Sequence, residues 1–114
     1  MATCRYCGEQ GFWGQAHARC QAIAGVGGRE IRTAIRGALA DESTMGAIRR
    51  IVDDIAARSR LPEREARHLV IEEYLHAVDS LQEGGVNDIE LEDRLEELRH
   101  KFALSRSECM RHAA

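Results

Sequence analysis

Apolar residues return every three to four positions through most of this chain, the spacing that lays a single stripe along an α-helix. From Arg29 to Ala40 the stripe is Ile31, Ala34, Ile35, Ala38 and Leu39. A second stripe runs through Ala47, Ile48, Ile51, Val52 and Ile55, with Ser43 or Thr44 placed to cap its start. Arg49, Arg50, Asp53 and Asp54 fall mainly on the opposite face. Residues Arg58 to Leu61 read as a short connection, and Pro62 suits the first turn of a third helix reaching Gln82. Its apolar face is Ala66, Leu69, Val70, Tyr74, Ala77, Val78 and Leu81, and Glu83-Gly84-Gly85 ends it. Asn87 with Glu90 opens a fourth helix carrying Ile89, Leu91, Leu95, Leu98 and Phe102. Ser105 with Glu108 repeats the capping pattern for a short last helix.

No period-two alternation of useful length occurs in this part of the chain, which points to a mainly α fold. The expected architecture is a bundle of about five helices over residues 29–114, preceded by a small module at 1–25 that is packed on it or linked to it. Gly25, Gly27 and Gly28 punctuate the exit from that module and read as a flexible joint.

The module has a different logic. Cys4 and Cys7 are separated by two residues, as are His17 and Cys20. Two such pairs can close a tetrahedron around one Zn2+ ion. Gly8, just after the first pair, allows a sharp turn, and positions 17 and 20 share one face of a helix. Four protein ligands leave no position for water or substrate, so the expected metal is structural. A disulfide is the competing use of these thiols, but no leader-type segment precedes Cys4 to suggest an oxidising compartment. A thioredoxin-like pair would follow a strand in a βαβ pattern, which is not seen. Cys109 is expected as a partly buried small hydrophobe on the last helix.

The run Cys-x-x-Cys-Gly, an aromatic-containing turn with Phe12 and Trp13, then His-x-x-Cys leading a helix resembles a small Cys3His finger of the treble-clef or ββα kind. It is also similar in outline to ubiquitin-binding zinc fingers, with shorter intervals. The resemblance implies zinc and leaves the partner open, since such fingers bind DNA, RNA, ubiquitin or other proteins. Further on, residues Leu81 to Glu90, with Leu95-Glu96-Glu97-Leu98 and Phe102-Ala103-Leu104-Ser105, resemble the rhythm of tellurite-resistance TerB-like domains, with Glu83-Gly84 in place of their aspartate-glycine. That resemblance implies a prokaryotic or phage interaction domain associated with stress or defence, and no catalysis.

Composition narrows the function without naming it. The chain has 114 residues, 44% of them hydrophobic and only 4% aromatic, so its core is expected to be aliphatic. No apolar run is long enough to span a bilayer, and a cytoplasmic protein is expected. The net charge of −3 conceals an asymmetry: residues 1–37 hold Arg5, Arg19, Arg29, Arg32 and Arg36 against Glu9 and Glu30. The acidic excess lies in the rest of the chain. The five arginines can contact a phosphate backbone, lie on a solvated face, or attract the acidic half.

No nucleophile motif or phosphate-binding glycine loop is present, and no small-molecule substrate is evident. The i,i+4 pairs His68/Glu72 and Glu72/His76 are expected as surface pairs on a charged helix. Two functions follow from the residues. One is a zinc-binding, non-enzymatic module that engages another protein or a second copy, with Phe12 and Trp13 as anchors unless both pack internally. The other is a nucleic-acid-binding regulator whose basic N-terminal part contacts phosphates while the acidic part dimerises.

Overall fold

The computed structural model describes residues 6–8, 18–83 and 88–113, and its described part contains five helices and no strand. They are α1 (Ala18–Ala40), α2 (Glu42–Ser59), α3 (Glu63–Glu83), α4 (Ile89–Lys101) and α5 (Arg106–Ala113). The helical bundle expected from periodicity is therefore present. Where the first helix begins is different: α1 starts at Ala18 and passes through Gly25, Gly27 and Gly28 without interruption. The glycine segment is not a joint, and the boundary placed between residues 25 and 29 falls inside a helix.

Tertiary contact explains the glycine at position 27. Helices α1 and α2 form an antiparallel hairpin across Asp41, so the C-terminal end of α2 returns beside the middle of α1. There the backbone of α1 lies against Ser59, which is buried. A Cβ on Gly27 would sit 2.1 Å from Ser59 Oγ and 2.4 Å from its Cβ, inside any permissible contact. Only glycine admits this approach, and burial at the crossing outweighs the helix-propensity cost of about 1 kcal/mol.

The hydrophobic stripes meet in one core. Ile31, Ile35, Ala38 and Leu39 from α1 pack with Met45, Ile48, Val52 and Ile55 from α2. Ala66, Val70 and Ile71 of α3, Leu95 and Leu98 of α4, and Phe102, Leu104 and Cys109 complete it. Ile71 lies outside the expected stripe of α3 and is buried, in a helix that packs against α1 as well as α4 and α5. Ile89 departs the opposite way: it sits at the first position of α4 and is 68% exposed. Cys109 is buried as expected, and that burial pushes its thiol pKa up.

The caps correct the sequence reading in two places. Asp41, not Ser43 or Thr44, caps α2: its carboxylate accepts from the Ser43 amide at 3.1 Å and from both hydroxyls. A charged acceptor at the positive end of the helix outcompetes a hydroxyl. Asp88 caps α4 by accepting from the Leu91 amide at 3.0 Å, while Asn87 lies outside the described residues. For α5 the expected Ser105 cap is found, its Oγ accepting from the Glu108 amide at 3.1 Å.

The carboxylate of Glu108 does not turn back on Ser105. It receives the Arg67 guanidinium through two hydrogen bonds, 2.6 Å from Nε and 2.8 Å from Nη2. Arg67 also donates to the carbonyls of Phe102 and Ala103. One side chain of α3 thus holds the left-handed turn at Ala103 (φ 49°) and the start of α5. Arg49 lies over the Phe102 ring, 5.3 Å from its centre.

The close crossing yields a prediction. Gly27→Ala destabilises the fold by about 1–3 kcal/mol through overpacking against Ser59. On the same helix, Gly37→Ala stabilises it by about 0.5–1 kcal/mol, because nothing lies within 4 Å of the added Cβ. Denaturant unfolding of the two variants reads the opposite signs. Equal effects would mean that the crossing is not tight.

Candidate functional site

Two of the four expected zinc ligands are described, and the fold brings them to one place. Tyr6 and Cys7 form a turn, and Gly8 leaves it at φ 80°, the left-handed conformation that glycine adopts without strain. Cys20 lies on the first turn of α1. Both half-buried cysteines line one recess of about 500 Å³, together with Arg19, Ile23, Arg58, Ser59 and Arg60. Cys4, Arg5, Phe12, Trp13 and His17 lie outside the described residues. Among the described residues no group of three or more metal-type side chains comes together.

The recess is made by the same crossing that demands Gly27. Because α2 stops at Ser59, the first turns of α1 project past its end and leave a notch between the two. Arg60 closes α2 in the left-handed region (φ 56°), its amide directed at the carbonyls of Ala56 and Ala57. That geometry turns the chain and leaves residues 58–60 beside the cysteines. Arg58 forms an ion pair with Glu30, and Arg19 and Arg60 are exposed. Sequence pattern alone places Arg58 to Leu61 in a connection, whereas Arg58 and Ser59 are the last residues of α2 and lie beside the cysteines. The alternation of arginine and serine there was the available signal.

The basic residues assigned to a partner surface divide into two groups. Arg32 and Arg36 face α3, not solvent alone. Arg36 grips Glu73 with two hydrogen bonds of 3.0 Å, and Arg32 reaches the same carboxylate at 3.2 Å while also binding Glu72. The attraction between a basic N-terminal part and an acidic C-terminal part is therefore built into the α1–α3 interface. Arg19 and Arg29 form no ion pair among the described residues.

Glu73 is the buried member of this network, with 5% of its side chain exposed. Burial works against its charged form, but hydrogen bonds and charge from Arg36 and Arg32 outweigh it and hold the carboxyl below the ordinary glutamate range. Glu72 behaves similarly: desolvation opposes ionisation, and Arg32 with His68 overcomes it. His68 Nε2 lies 2.6 Å from Glu72 Oε1, the expected i,i+4 surface pair.

Comparison with protein-family models, with curated proteins and with solved structures finds no match to this chain. No helix among the described residues is long and apolar enough to cross a membrane.

The lowered carboxyl of Glu73 sets a pH dependence. An unfolded glutamate titrates near about 4.3, so this group contributes its full stabilisation above that value. The contribution is lost as pH falls through the lower folded value. Glu73→Gln should reduce stability at neutral pH by about 1.5–3 kcal/mol, the worth of hydrogen bonds to a charged group. The gap between the two proteins should close on acidification below about pH 4. Unfolding curves from neutral to acidic pH test this, and a gap that stays constant would remove Glu73 from the account.

Proposed function

We propose that this chain is a zinc-stapled, non-enzymatic interaction module. Cys4, Cys7, His17 and Cys20 hold one structural Zn2+, and the helical body engages another protein or a second copy of the chain. The observation that supports it is the convergence of Cys7 and Cys20 on one recess. One comes from a glycine-closed turn and the other from the start of a helix. That is how two ligand pairs distant in sequence are made to face one ion.

Charge in the recess suits the metal complex. Three thiolates and a neutral imidazole around Zn2+ leave one net negative charge, and Arg19, Arg58 and Arg60 surround the position. Guanidinium groups there would offset the negative charge of such a complex. A saturated coordination sphere provides no open position for substrate, which is why the role is placed in binding and not in catalysis. The setting that goes with this reading is cytoplasmic and prokaryotic or phage-borne, as an adaptor or inhibitor in stress or defence.

The arginines of the recess also give some support to a second reading, a nucleic-acid-binding regulator. Phosphate-driven binding weakens steeply as salt rises, whereas apolar protein contacts do not, so salt dependence of any captured partner separates the two.

Elemental analysis of the purified chain should give one zinc per molecule, and Cys7→Ser or Cys20→Ser should each abolish it. Protein partners captured before and after chelation then locate the binding surface. Loss on chelation places it at the metal module, and retention places it on the helices. A chain isolated without chelator and free of zinc would refute the proposal.

A further inference from the structure

A groove of about 1210 Å³, larger than the cysteine recess, opens between α1, α3 and α5, with Tyr6 of the N-terminal turn also on its wall. Its size exceeds the roughly 300–1,000 Å³ of ordinary small-molecule pockets and matches a groove that takes a segment of secondary structure. The floor is apolar: Leu61 and Leu69 lie half-buried above Ala24 and Ile71. Gly25 and Gly28 put two side-chain-free positions of α1 along one wall.

The walls are basic in a chain that is acidic overall. Five arginines line the groove (Arg29, Arg32, Arg64, Arg67 and Arg111) against Glu63, Glu65 and Glu108. Internal pairing accounts for two of them, since Arg67 is held by Glu108 and Arg32 by Glu72 and Glu73. Arg29, Arg64 and Arg111 form no ion pair among the described residues, and they come from three different helices around one opening. An apolar floor rimmed by cations on several sides is complementary to an apolar stripe flanked by carboxylates.

We propose that this groove is the docking surface for an acidic amphipathic helix of a partner protein. The partner lays its apolar i, i+3, i+4, i+7 face on Leu61 and Leu69, and its flanking carboxylates meet Arg29, Arg64 and Arg111. A nucleic-acid backbone fits less well, because it offers no apolar stripe for the floor. The proposal rests on the interaction-module reading and names its surface. The contacts it invokes come from the helices, while Tyr6, beside Cys7, borders the same groove.

The probe is a fluorescently labelled synthetic helix with a leucine stripe flanked by glutamates, its binding followed by anisotropy. The same stripe flanked by lysines and a single-stranded oligothymidylate serve as comparisons. The glutamate helix should bind at least about tenfold more tightly than either comparison. Arg64→Glu with Arg111→Glu should weaken it by about tenfold or more. Gly25→Leu should block it by filling the groove, and the fold accommodates the change because the new Cβ meets only Arg29 Nη1 at 3.8 Å. Gly37→Leu, on the same helix but away from the groove, should bind normally. Equal affinity for the lysine helix, preference for the oligonucleotide, or unimpaired binding by Gly25→Leu would each overturn the proposal. Zinc content measured on the same samples keeps this result separate from the fate of the metal reading.

Discussion

The crossing of α1 and α2 at Gly27 and Ser59 is the constraint from which the other features follow. With no side chain at Gly27, the two backbones approach closely enough to bury Ser59 between them. That contact fixes where α2 ends along α1 and leaves the first turns of α1 projecting beyond it. The projecting end carries Cys20 and faces Cys7, and the covered part carries the core residues Ile31, Ile35, Ala38 and Leu39. One continuous helix therefore joins the cysteine recess to the hydrophobic core. Any change in the recess acts first on the turns of α1 that project beyond α2.

Charge does a second job in this fold, by orienting helices that apolar packing alone leaves interchangeable. Aliphatic stripes pack in many registers, but a buried carboxylate tolerates only the register that supplies its partners. Glu73 receives Arg36 and Arg32 across the α1–α3 interface, and Glu108 receives Arg67 across α3–α5. Arg67 further ties down the carbonyls of the Ala103 turn, compensating for the strain of a non-glycine residue in the left-handed region. The uneven distribution of charge along the chain is expressed in the contacts of Arg32 and Arg36 with Glu72 and Glu73, while Arg67 and Glu108 pair within the acidic part.

The helical periodicity was a dependable guide because the residues that carry it are those with no alternative to burial. Ile31, Ile35, Ile48, Val52, Val70 and Leu98 are all at 2% exposure or less. What escaped the sequence depends on partners distant along the chain. Gly27 reads locally as a helix breaker, and only Ser59 reveals it as a contact. Ile89 satisfies the stripe of α4 but precedes the point where that helix meets the core. The left-handed stop at Ala103 carries no glycine to mark it. Cys7 and Cys20 were marked in the sequence by the Cys-x-x-Cys and His-x-x-Cys spacings, and both line one recess. Arg58 and Arg60 beside them were not so marked, since they arrive from the far end of α2. The groove between α1, α3 and α5 is a product of packing and leaves no trace in any single segment.

If a zinc ion ties Cys20 to the N-terminal turn, its binding energy is stored in the first turns of α1. Amide hydrogen exchange across α1, with zinc bound and after chelation, tests this most directly. The account predicts that amides of residues 20–26 lose protection on chelation while those of Ile31 to Leu39 keep theirs. Unchanged protection in both segments would contradict it, showing that the metal module and the helix are not coupled.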